Sequence, residues 1–307
     1  MPINYWKGGT GTGATQTDWG TPGNWSLTHV PITGEDVFDT DSSFPIDPYD
    51  TTIGGTVELG DVRFGRGMLA SKIGDYNGGT PQYLKIACQA GKVIEIVTET
   101  DAQQIWLEYA GSNPVEVFLS QFGVVDSSAY DSQGVHIKQS GTGSVSTLLN
   151  SGVPCKAEGG SFGTILAGAG NTIISAGVSA LVFRSFGLTA ISELNAMPTN
   201  SLAIYEGQVT VEAQTAINLF NQFGGNVFWN GGADITTPTI YRGLFDVSNA
   251  KKQPVFGTMK VYGTDNPQET IVDLLNGVGG ALISTSFESF GQPTIRTPDK
   301  TILTPAA

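Results

Sequence analysis

The apolar residues of this chain occur in short runs that alternate with polar positions, and Gly, Asn, Asp, Ser or Pro separates most of the runs. Alternation with a period of two predicts β-strands, and the separating residues are those that favour turns. The pattern therefore predicts many short strands. They span residues 57–59, 62–64, 83–89, 93–99, 105–109, 115–119, 135–138, 145–149, 164–166, 172–175, 181–184, 202–205, 209–212, 226–229, 240–241, 244–247 and 259–262.

A repeat with a fixed period accompanies these strands. Tyr205, Phe223 and Tyr241 are spaced eighteen residues apart, and each begins the pattern aromatic, any residue, Gly, any residue, Val or Phe. Such a period indicates stacked units that cannot bury their apolar faces alone. The repeat glycines are Gly207, Gly225 and Gly243, and a looser continuation of the period upstream runs through Gly187, Gly163, Gly143 and Gly123.

Several short strands within each period favour an all-β fold, a single-stranded right-handed parallel β-helix, because a β-sandwich needs no constant period. We expect an N-terminal cap and anchoring segment at 1–55, a β-helix body at 56–265, a C-terminal capping region at 266–290 and an extended arm at 291–307. The arm is rich in Thr and Pro, so it is either disordered or ordered by another subunit.

One segment of the capping region has helix signals. Asn266 suits an N-cap, Pro267 the first helical position and Glu269 the capping-box position, and Gly277 would follow the end. A short amphipathic helix here would cover the open end of the solenoid, which otherwise exposes strand edges. The alternative is one more strand-bearing coil.

Composition excludes some function classes. The 307 residues carry a formal net charge of −13 and no basic cluster, which disfavours nucleic acid as a partner. No apolar run approaches the ~20 residues of a membrane span, and the N-terminus lacks the pattern of an export signal, so we expect a soluble protein made in the cytoplasm. The two cysteines are too few for a disulfide scaffold. Cys88 shares a strand face with apolar residues and is interpreted as buried.

Two motif-like strings lack the context that their chemistry needs. Residues 9–14 match the dinucleotide fingerprint G-x-G-x-x-A, but we expect neither a strand before them nor a helix after them. Residues 159–163 match the nucleophile-elbow string around Ser161, but both histidines precede that serine. Ser161 is interpreted as a turn residue, and no catalytic residue, cofactor or metal is assigned.

Polysaccharide hydrolysis would need two carboxylates across a groove, which a solenoid can supply from neighbouring coils. The strand carboxylates are Glu95, Glu99, Glu108 and Glu116, and we interpret them as a solvated outer face. Trp106 and Trp229 are expected to be exposed, where they could stack on sugar rings or fill a subunit interface. Asp36, Asp39 and Asp41 have oxygen ligands suited to calcium but lack the loop pattern of a calcium motif.

The N-terminal phrase at residues 19–26, followed by Val30-Pro31 and Asp36-Val37-Phe38, resembles the opening of β-solenoids in autotransporter-like proteins and in some tailed-phage virion proteins. Without an export signal or membrane barrel, the chain looks more like a phage structural protein such as a capsid decoration (cement) protein. The resemblance implies a homotrimer, and it implies that Asn24, Trp25, Pro31 and Asp36 form a structural cap.

We therefore expect a non-enzymatic virion protein, assembled in the host cytoplasm, whose partners are itself and the major capsid protein. The predicted contact residues lie in the Trp-rich N-terminal segment and in the C-terminal arm. They are Trp6, Trp19, Trp25, Pro31, Arg296 and Lys300. The alternative is a carbohydrate-binding or polysaccharide-degrading tailspike or lyase on the same coils, and a surface adhesin is disfavoured by the absence of an export signal.

Overall fold

The structure is a computed structural model of the whole chain. It describes residues 2–39, 42, 44–52, 57–65, 72–77, 80–98, 104–121, 134–266, 268–275 and 281–297. Two compact units divide the chain, Met1–Gly163 and Thr164–Ala307, and each is described by itself below.

The first unit consists of short strands that contribute to two parallel sheets. One sheet has the order β1-β2-β4-β9-β11-β13 and the other β3-β8-β10-β12-β14, with β5 also paired to β10 and a small antiparallel pair β6-β7. Inward-facing Val, Ile and Leu side chains of these strands are buried. The strands are β1 (Ile3–Tyr5), β2 (Asp36–Asp39), β3 (Glu58–Leu59), β4 (Val62–Phe64), β5 (Lys72–Ile73), β6 (Asp75–Asn77), β7 (Thr80–Gln82), β8 (Leu84–Cys88), β9 (Val93–Thr98), β10 (Gln104–Tyr109), β11 (Val115–Gln121), β12 (Gly134–Gln139), β13 (Val145–Ser151) and β14 (Cys155–Glu158).

The second unit is also built of coils with two strands each. The odd-numbered strands form one parallel sheet in the order β15-β17-β19-β21-β23-β25-β27. The even-numbered strands form a second parallel sheet in the order β16-β18-β20-β22-β24-β26-β28. The strands are β15 (Ser161–Ala169), β16 (Asn171–Ile174), β17 (Ser179–Ser185), β18 (Ile191–Leu194), β19 (Ser201–Ile204), β20 (Gln208–Val211), β21 (Ile217–Gln222), β22 (Asn226–Trp229), β23 (Ile235–Ile240), β24 (Gly243–Asp246), β25 (Val255–Tyr262), β26 (Thr270–Asp273), β27 (Leu282–Phe290) and β28 (Thr294–Arg296). The predicted all-β parallel β-helix is thus confirmed.

The eighteen-residue repeat corresponds to one coil of the second unit. Each repeat aromatic directly follows a strand of one sheet, and the glycine two residues later completes the turn into the other sheet. Gly207, Gly225 and Gly243 have φ of 84°, 71° and 95°, values that L side chains rarely adopt. The period therefore reflects a corner that must be made the same way in successive coils.

The predicted upstream continuation of the repeat is wrong, because the upstream glycines do not occupy the same position of the coil as Gly207. Gly163 lies within β15, and Gly143 lies in the turn before β13, so neither occupies the corner of Gly207. Gly187 follows Phe186, which makes it equivalent to Glu206 rather than to Gly207. Gly123 lies outside the described residues. Glycine alone did not mark the corner because this chain also uses glycine inside strands and in other turns.

The N-terminal segment folds around three tryptophans. Trp6, Trp19 and Trp25 are at most 1% exposed, and their ring centroids lie 4.5 to 6.3 Å apart. Asn24 is buried beside them, where its side-chain oxygen accepts from the Thr10 N–H and its amide donates to two backbone carbonyls. A buried polar group needs such partners. Trp25 and Asn24 therefore belong to the buried interior of the N-terminal segment, and their role as a structural cap stays a prediction.

The expected helix at 266–277 is wrong within the described residues. Asn266 caps a tight turn, since its side chain accepts from the Gln268 N–H and its carbonyl accepts from the Glu269 N–H. Ile271 and Val272 then belong to β26, which pairs in parallel with β24. Stacking the apolar residues on an existing coil buries Val272 completely, and this outweighs the local capping signals. The alternative of another strand-bearing coil is correct, while Pro267 and Gly277 lie outside the described residues.

The expected arm is also ordered in part by its own chain. Thr294–Arg296 forms β28 and pairs in parallel with β26. No other subunit is needed to extend this stretch. Residues 298–307 lie outside the described part of the chain.

The short strings considered as motifs have structural roles. A three-residue strand, β1, precedes the glycines at 9–14, a 3-10 turn, Gly13–Gln16, begins within the string, and another, Pro22–Asn24, follows it. The expectation that no strand precedes this string is thus wrong, and short 3-10 turns give no α-helix N-terminus for a pyrophosphate. Ser161 is the first residue of β15 rather than a turn residue, and its N–H donates to the Gln139 side chain.

Candidate functional site

One concentration of chemically versatile side chains lies in the first unit, and we call it the polar-aromatic cluster. Parallel pairing of β10 with β12 places Trp106 beside His136 and Glu108 beside Lys138. Pairing of β12 with β14 then places Lys138 beside Glu158. Residues two apart on a strand share one face of the sheet. The cluster is Tyr83, Trp106, Glu108, His136, Lys138 and Glu158.

The aromatic part of the cluster is tightly packed. The imidazole of His136 stacks on the indole of Trp106 at a centroid distance of 3.6 Å, and Tyr76 stacks on the same indole at 5.2 Å. Tyr83 approaches Trp106 edge to face at 5.8 Å. Trp106 and His136 are each 2% exposed. The expectation that Trp106 is exposed is therefore wrong, and its ring is not available to stack on a sugar.

The carboxylate of Glu158 is held by three groups. The Tyr83 hydroxyl donates to it at 2.5 Å, Lys156 Nζ lies 3.0 Å away, and His136 Nδ1 lies 3.5 Å away. Burial opposes ionisation, but the contacts with His136, Tyr83 and Lys156 outweigh it and lower the pKa of Glu158 to about 2. Burial and the Glu158 carboxylate raise the pKa of the Tyr83 phenol.

Glu108 is similarly engaged. Its two oxygens accept from Lys138 Nζ at 2.8 Å and from the Ser140 hydroxyl at 2.5 Å, and Lys85 Nζ lies 4.0 Å away. Lys85 in turn lies 3.1 Å from Asp50. A carboxylate with these donors is compensated in charge and fixed in orientation.

An open depression of about 270 Å³ adjoins the cluster. Two phenol rings, two carboxylates and one ammonium group line it, so polar and apolar surface lie side by side. Its lining residues are Pro48, Tyr49, Asp50, Tyr83, Lys85 and Glu108.

The cluster does not suit acid–base cleavage of a glycosidic bond. That reaction needs a carboxylic acid whose pKa is raised so that it can protonate the leaving group. Glu158 has a lowered pKa, and both oxygens of Glu108 are already hydrogen-bonded. The arrangement favours an ion-pair network that joins neighbouring coils.

A second feature, in the second unit, is a row of stacked rings that we call the aromatic column. Consecutive ring centroids lie 4.8 to 5.0 Å apart, with planes inclined by 3° to 14°. Four of the five rings are 39% to 45% exposed. Each ring comes from a successive coil, so the column follows the stacking direction of the strands. Its members are Tyr205, Phe223, Tyr241, Tyr262 and Phe290.

A groove of about 200 Å³ lies beside the column. Its lining includes Tyr205, Phe223, the 82% exposed Leu188 and two charged side chains, Glu206 and Arg242. Arg242 is 64% exposed and lies 3.8 Å from Glu269. Within the described part of the chain, Glu206 forms no ion pair.

A third surface lies on the N-terminal cap, and we call it the cap patch. Its apolar residues are Tyr5, Leu27 and Ile32, with exposures of 41%, 38% and 57%. One hydrogen-bond network holds all three segments: the Asn4 side chain accepts from the Leu27 N–H and donates to Glu35, and the Glu35 carboxylate also accepts from the Ile32 N–H. The patch is therefore presented by a folded support.

The predicted contact residues are placed differently from one another. Trp6, Trp19 and Trp25 form the interior of the cap, and Pro31 is also buried, so none of the four presents an open surface. Arg296 is exposed and lies 3.1 Å from Asp273. Lys300 lies outside the described residues.

The other candidate residues are dispersed. Trp229 is fully buried, and its indole N–H donates to the Ala233 carbonyl, so its expected exposure is wrong. Glu95 and Glu116 lie on neighbouring strands of one sheet, whereas Glu108 lies on the other sheet. Glu95 pairs with Arg63 at 3.5 Å. Glu99 lies outside the described residues.

The acidic residues near the cap are also tied to protein groups. Asp36 lies 3.9 Å from Lys92, and Asp39 accepts from the Ser42 N–H. Asp41 lies outside the described residues. Among the described residues, no group of three His, Cys, Asp or Glu side chains is arranged to hold a metal ion.

Sequence reasoning missed most of the polar-aromatic cluster and two rings of the aromatic column. Tyr83, His136 and Glu158 are far apart in sequence and meet only through strand pairing, so no local spacing indicates them. Tyr262 and Phe290 follow the repeat after 21 and 28 residues because their coils are longer. A search for aromatic residues at strand ends, rather than at a constant period, would have found them.

These features define an all-β protein with a parallel β-helix fold, a charge-compensated cluster and two exposed apolar surfaces. No helix in the described segments has the length and apolar character needed to span a membrane. Comparison with models of protein families, with curated proteins and with solved structures finds no match to the chain.

Proposed function

We propose that this chain is a non-enzymatic structural protein of a tailed-phage virion, a capsid decoration protein that binds the capsid exterior and stabilises it. The resemblance of residues 19–38 to the opening of phage β-solenoids supports the virion assignment. The observation that carries the contact is the cap patch: Tyr5, Leu27 and Ile32 are exposed on the same folded segment that bears this resemblance. Exposed apolar residues on a rigid support suit association with another protein.

The state of the carboxylates supports association over catalysis. In the polar-aromatic cluster Glu158 and Glu108 are bound by ammonium and hydroxyl groups, and Glu158 has a pKa lowered to about 2. A lysine-bound carboxylate contributes to coil stacking, and its proton is not available at neutral pH. The homotrimer implied by the resemblance stays a prediction, and it competes with the two-fold association inferred in the next subsection.

The capsid contact can be tested by co-sedimentation of purified protein with undecorated capsids. The variant carries Tyr5→Ser, Leu27→Ser and Ile32→Ser together, and the matched control carries Leu181→Ser, an exposed leucine of the second unit. We expect the triple variant to lose at least about tenfold in capsid affinity, because it removes the apolar contact area. The control should bind as the wild type does.

Deletion of residues 1–30 would be a poorer test of the capsid contact, because it removes β1 and the three buried tryptophans of the N-terminal segment. The substituted proteins keep these buried tryptophans, so their fluorescence shows whether each variant is folded. Unchanged capsid occupancy by a folded triple variant would show that the cap patch is not the anchor.

A parallel assay addresses the enzymatic alternative. Purified protein is incubated with host surface polysaccharide, and the chain length is followed by size-exclusion chromatography. We expect no shortening. If shortening occurs and Glu108→Gln or Glu95→Gln abolishes it, the non-enzymatic proposal is wrong.

A further inference from the structure

The aromatic column has the properties of a surface that meets a copy of itself. Its rings repeat at 4.8 to 5.0 Å, and four of them are about two-fifths exposed. A second column has the same repeat, so the rings of the two columns can stay in step wherever they face each other. Flat aromatic surface of this kind is enriched at the centres of protein interfaces.

Two charges beside the column indicate how the copies are oriented. Glu206 follows Tyr205, Arg242 follows Tyr241, and strand pairing makes the two positions equivalent in coils that are two apart. Both side chains line the same groove. Phe223 stacks on both Tyr205 and Tyr241 and thus lies midway between the charges.

A two-fold axis through Phe223, perpendicular to the column, reverses the order of the coils in the second copy. Glu206 of one copy then faces Arg242 of the other, and Arg242 faces Glu206. A parallel arrangement around a three-fold axis instead brings residues of equal height together, Glu206 with Glu206 and Arg242 with Arg242. Opposite charges across an interface favour the correct orientation, and like charges oppose it.

We infer that the aromatic column is a two-fold self-association surface, centred on Phe223 and oriented by the pair of Glu206 with Arg242 of the second copy. The formal net charge of −13 makes each copy repel another over most of its surface. Arg242 is 64% exposed, and although it lies 3.8 Å from Glu269 of its own chain, it places a positive group at the column. This inference goes beyond the capsid contact, which uses the cap patch.

Charge exchange tests the inference directly. The full-length wild type, Glu206→Arg, Arg242→Glu and the double variant are compared by sedimentation equilibrium and native mass measurement. We expect a dimer for the wild type and a dimer at least about tenfold weaker for each single variant, because each places like charges across the axis. The double variant restores opposite charges and should return to within about threefold of the wild type.

Phe223→Ser removes the central ring and should also weaken the dimer, whereas Leu181→Ser, an exposed leucine outside the column, should not. Thermal unfolding of every variant separates lost association from lost folding. The inference is overturned by a wild type that stays monomeric or forms a trimer. Single variants that associate like the wild type, or a double variant no better than the singles, also overturn it. Capsid binding is also measured for the monomeric Phe223→Ser protein. This measurement tests the proposed capsid contact independently of self-association.

Discussion

The imidazole of His136 lies flat against the indole of Trp106, with ring centroids 3.6 Å apart and planes inclined by 20°. The two residues are register partners on β10 and β12, so the stack is a direct result of parallel strand pairing. It joins two coils that are 30 residues apart in sequence, as the strand register shows. Trp106 is thus buried among the side chains that cover the outer face of its sheet.

Replacing Trp106 should therefore destabilise the first unit strongly. We expect Trp106→Ala to lower the free energy of unfolding by about 3–5 kcal/mol, because a large buried side chain is lost. Tyr76→Ala removes a 37% exposed ring from the same stack and should cost only about 1 kcal/mol. Urea unfolding measures both. Equal costs would contradict the central position of Trp106.

The ion pairs of Glu158 make stability depend on acid pH. Its folded pKa is about 2 against an ordinary value of 4.5, so its contribution is fully present above about pH 4.5 and is lost as the pH falls towards 2. This difference in pKa corresponds to about 3 kcal/mol of folding stability. We expect the gap in unfolding free energy between the wild type and Glu158→Gln to be large at pH 7 and to shrink at pH 3. A gap that does not change with pH would contradict this linkage.

The sequence predicted the fold class because β-strands leave a local signal, the alternation of apolar and polar residues. Each of the seventeen predicted strands overlaps an observed one, whereas eleven of the described strands were missed: β1, β2, β5, β6, β7, β14, β18, β21, β26, β27 and β28. In β21 two adjacent residues, Asn218 and Leu219, are both exposed, which breaks the alternation with a period of two. The helix prediction failed for the opposite reason, since a local capping pattern was outweighed by stacking of β26 on β24.

The candidate surfaces were less predictable than the fold. Exposure was assigned to Trp106 and Trp229 from residue type alone, but each packs between coils. Only the structure shows that the repeat aromatics are the exposed ones, because their side chains lie at the outer corner that the repeat glycines create. Long-range pairing decides which face of a strand is buried, and a single sequence contains no direct signal of it.

The cysteines should be unreactive in the folded protein. Cys88 was predicted to be buried, and this is confirmed. Burial, with a smaller effect of nearby Asp61 and Glu58, raises the pKa of Cys88 to about 12. Only the thiolate reacts with disulfide reagents, so we expect native labelling at pH 8 to be at least about 100-fold slower than in denaturant. The Cys155→Ser variant isolates Cys88, and rapid labelling of that folded protein would show that the thiol is accessible.

The repeat glycines should be constrained by neighbouring coils as well as by backbone conformation. Gly225 has φ of 71°, and a Cβ there would lie 2.5 Å from the Gly207 carbonyl oxygen of the preceding coil. Gly91 has the same φ of 71° but no atom within 4 Å of its added Cβ. Gly91→Ala should therefore cost about 1–2 kcal/mol from the left-handed backbone alone.

Gly225→Ala carries that same backbone cost and must also push apart two stacked backbones. Overpacking of this kind adds about 1–3 kcal/mol, so we expect a total loss of about 2–5 kcal/mol in the free energy of unfolding. Urea unfolding of both variants separates the two contributions, because their backbone angles match. If the two substitutions cost the same, close stacking of the coils is not what requires glycine at the corner, and the eighteen-residue repeat would reflect turn conformation only.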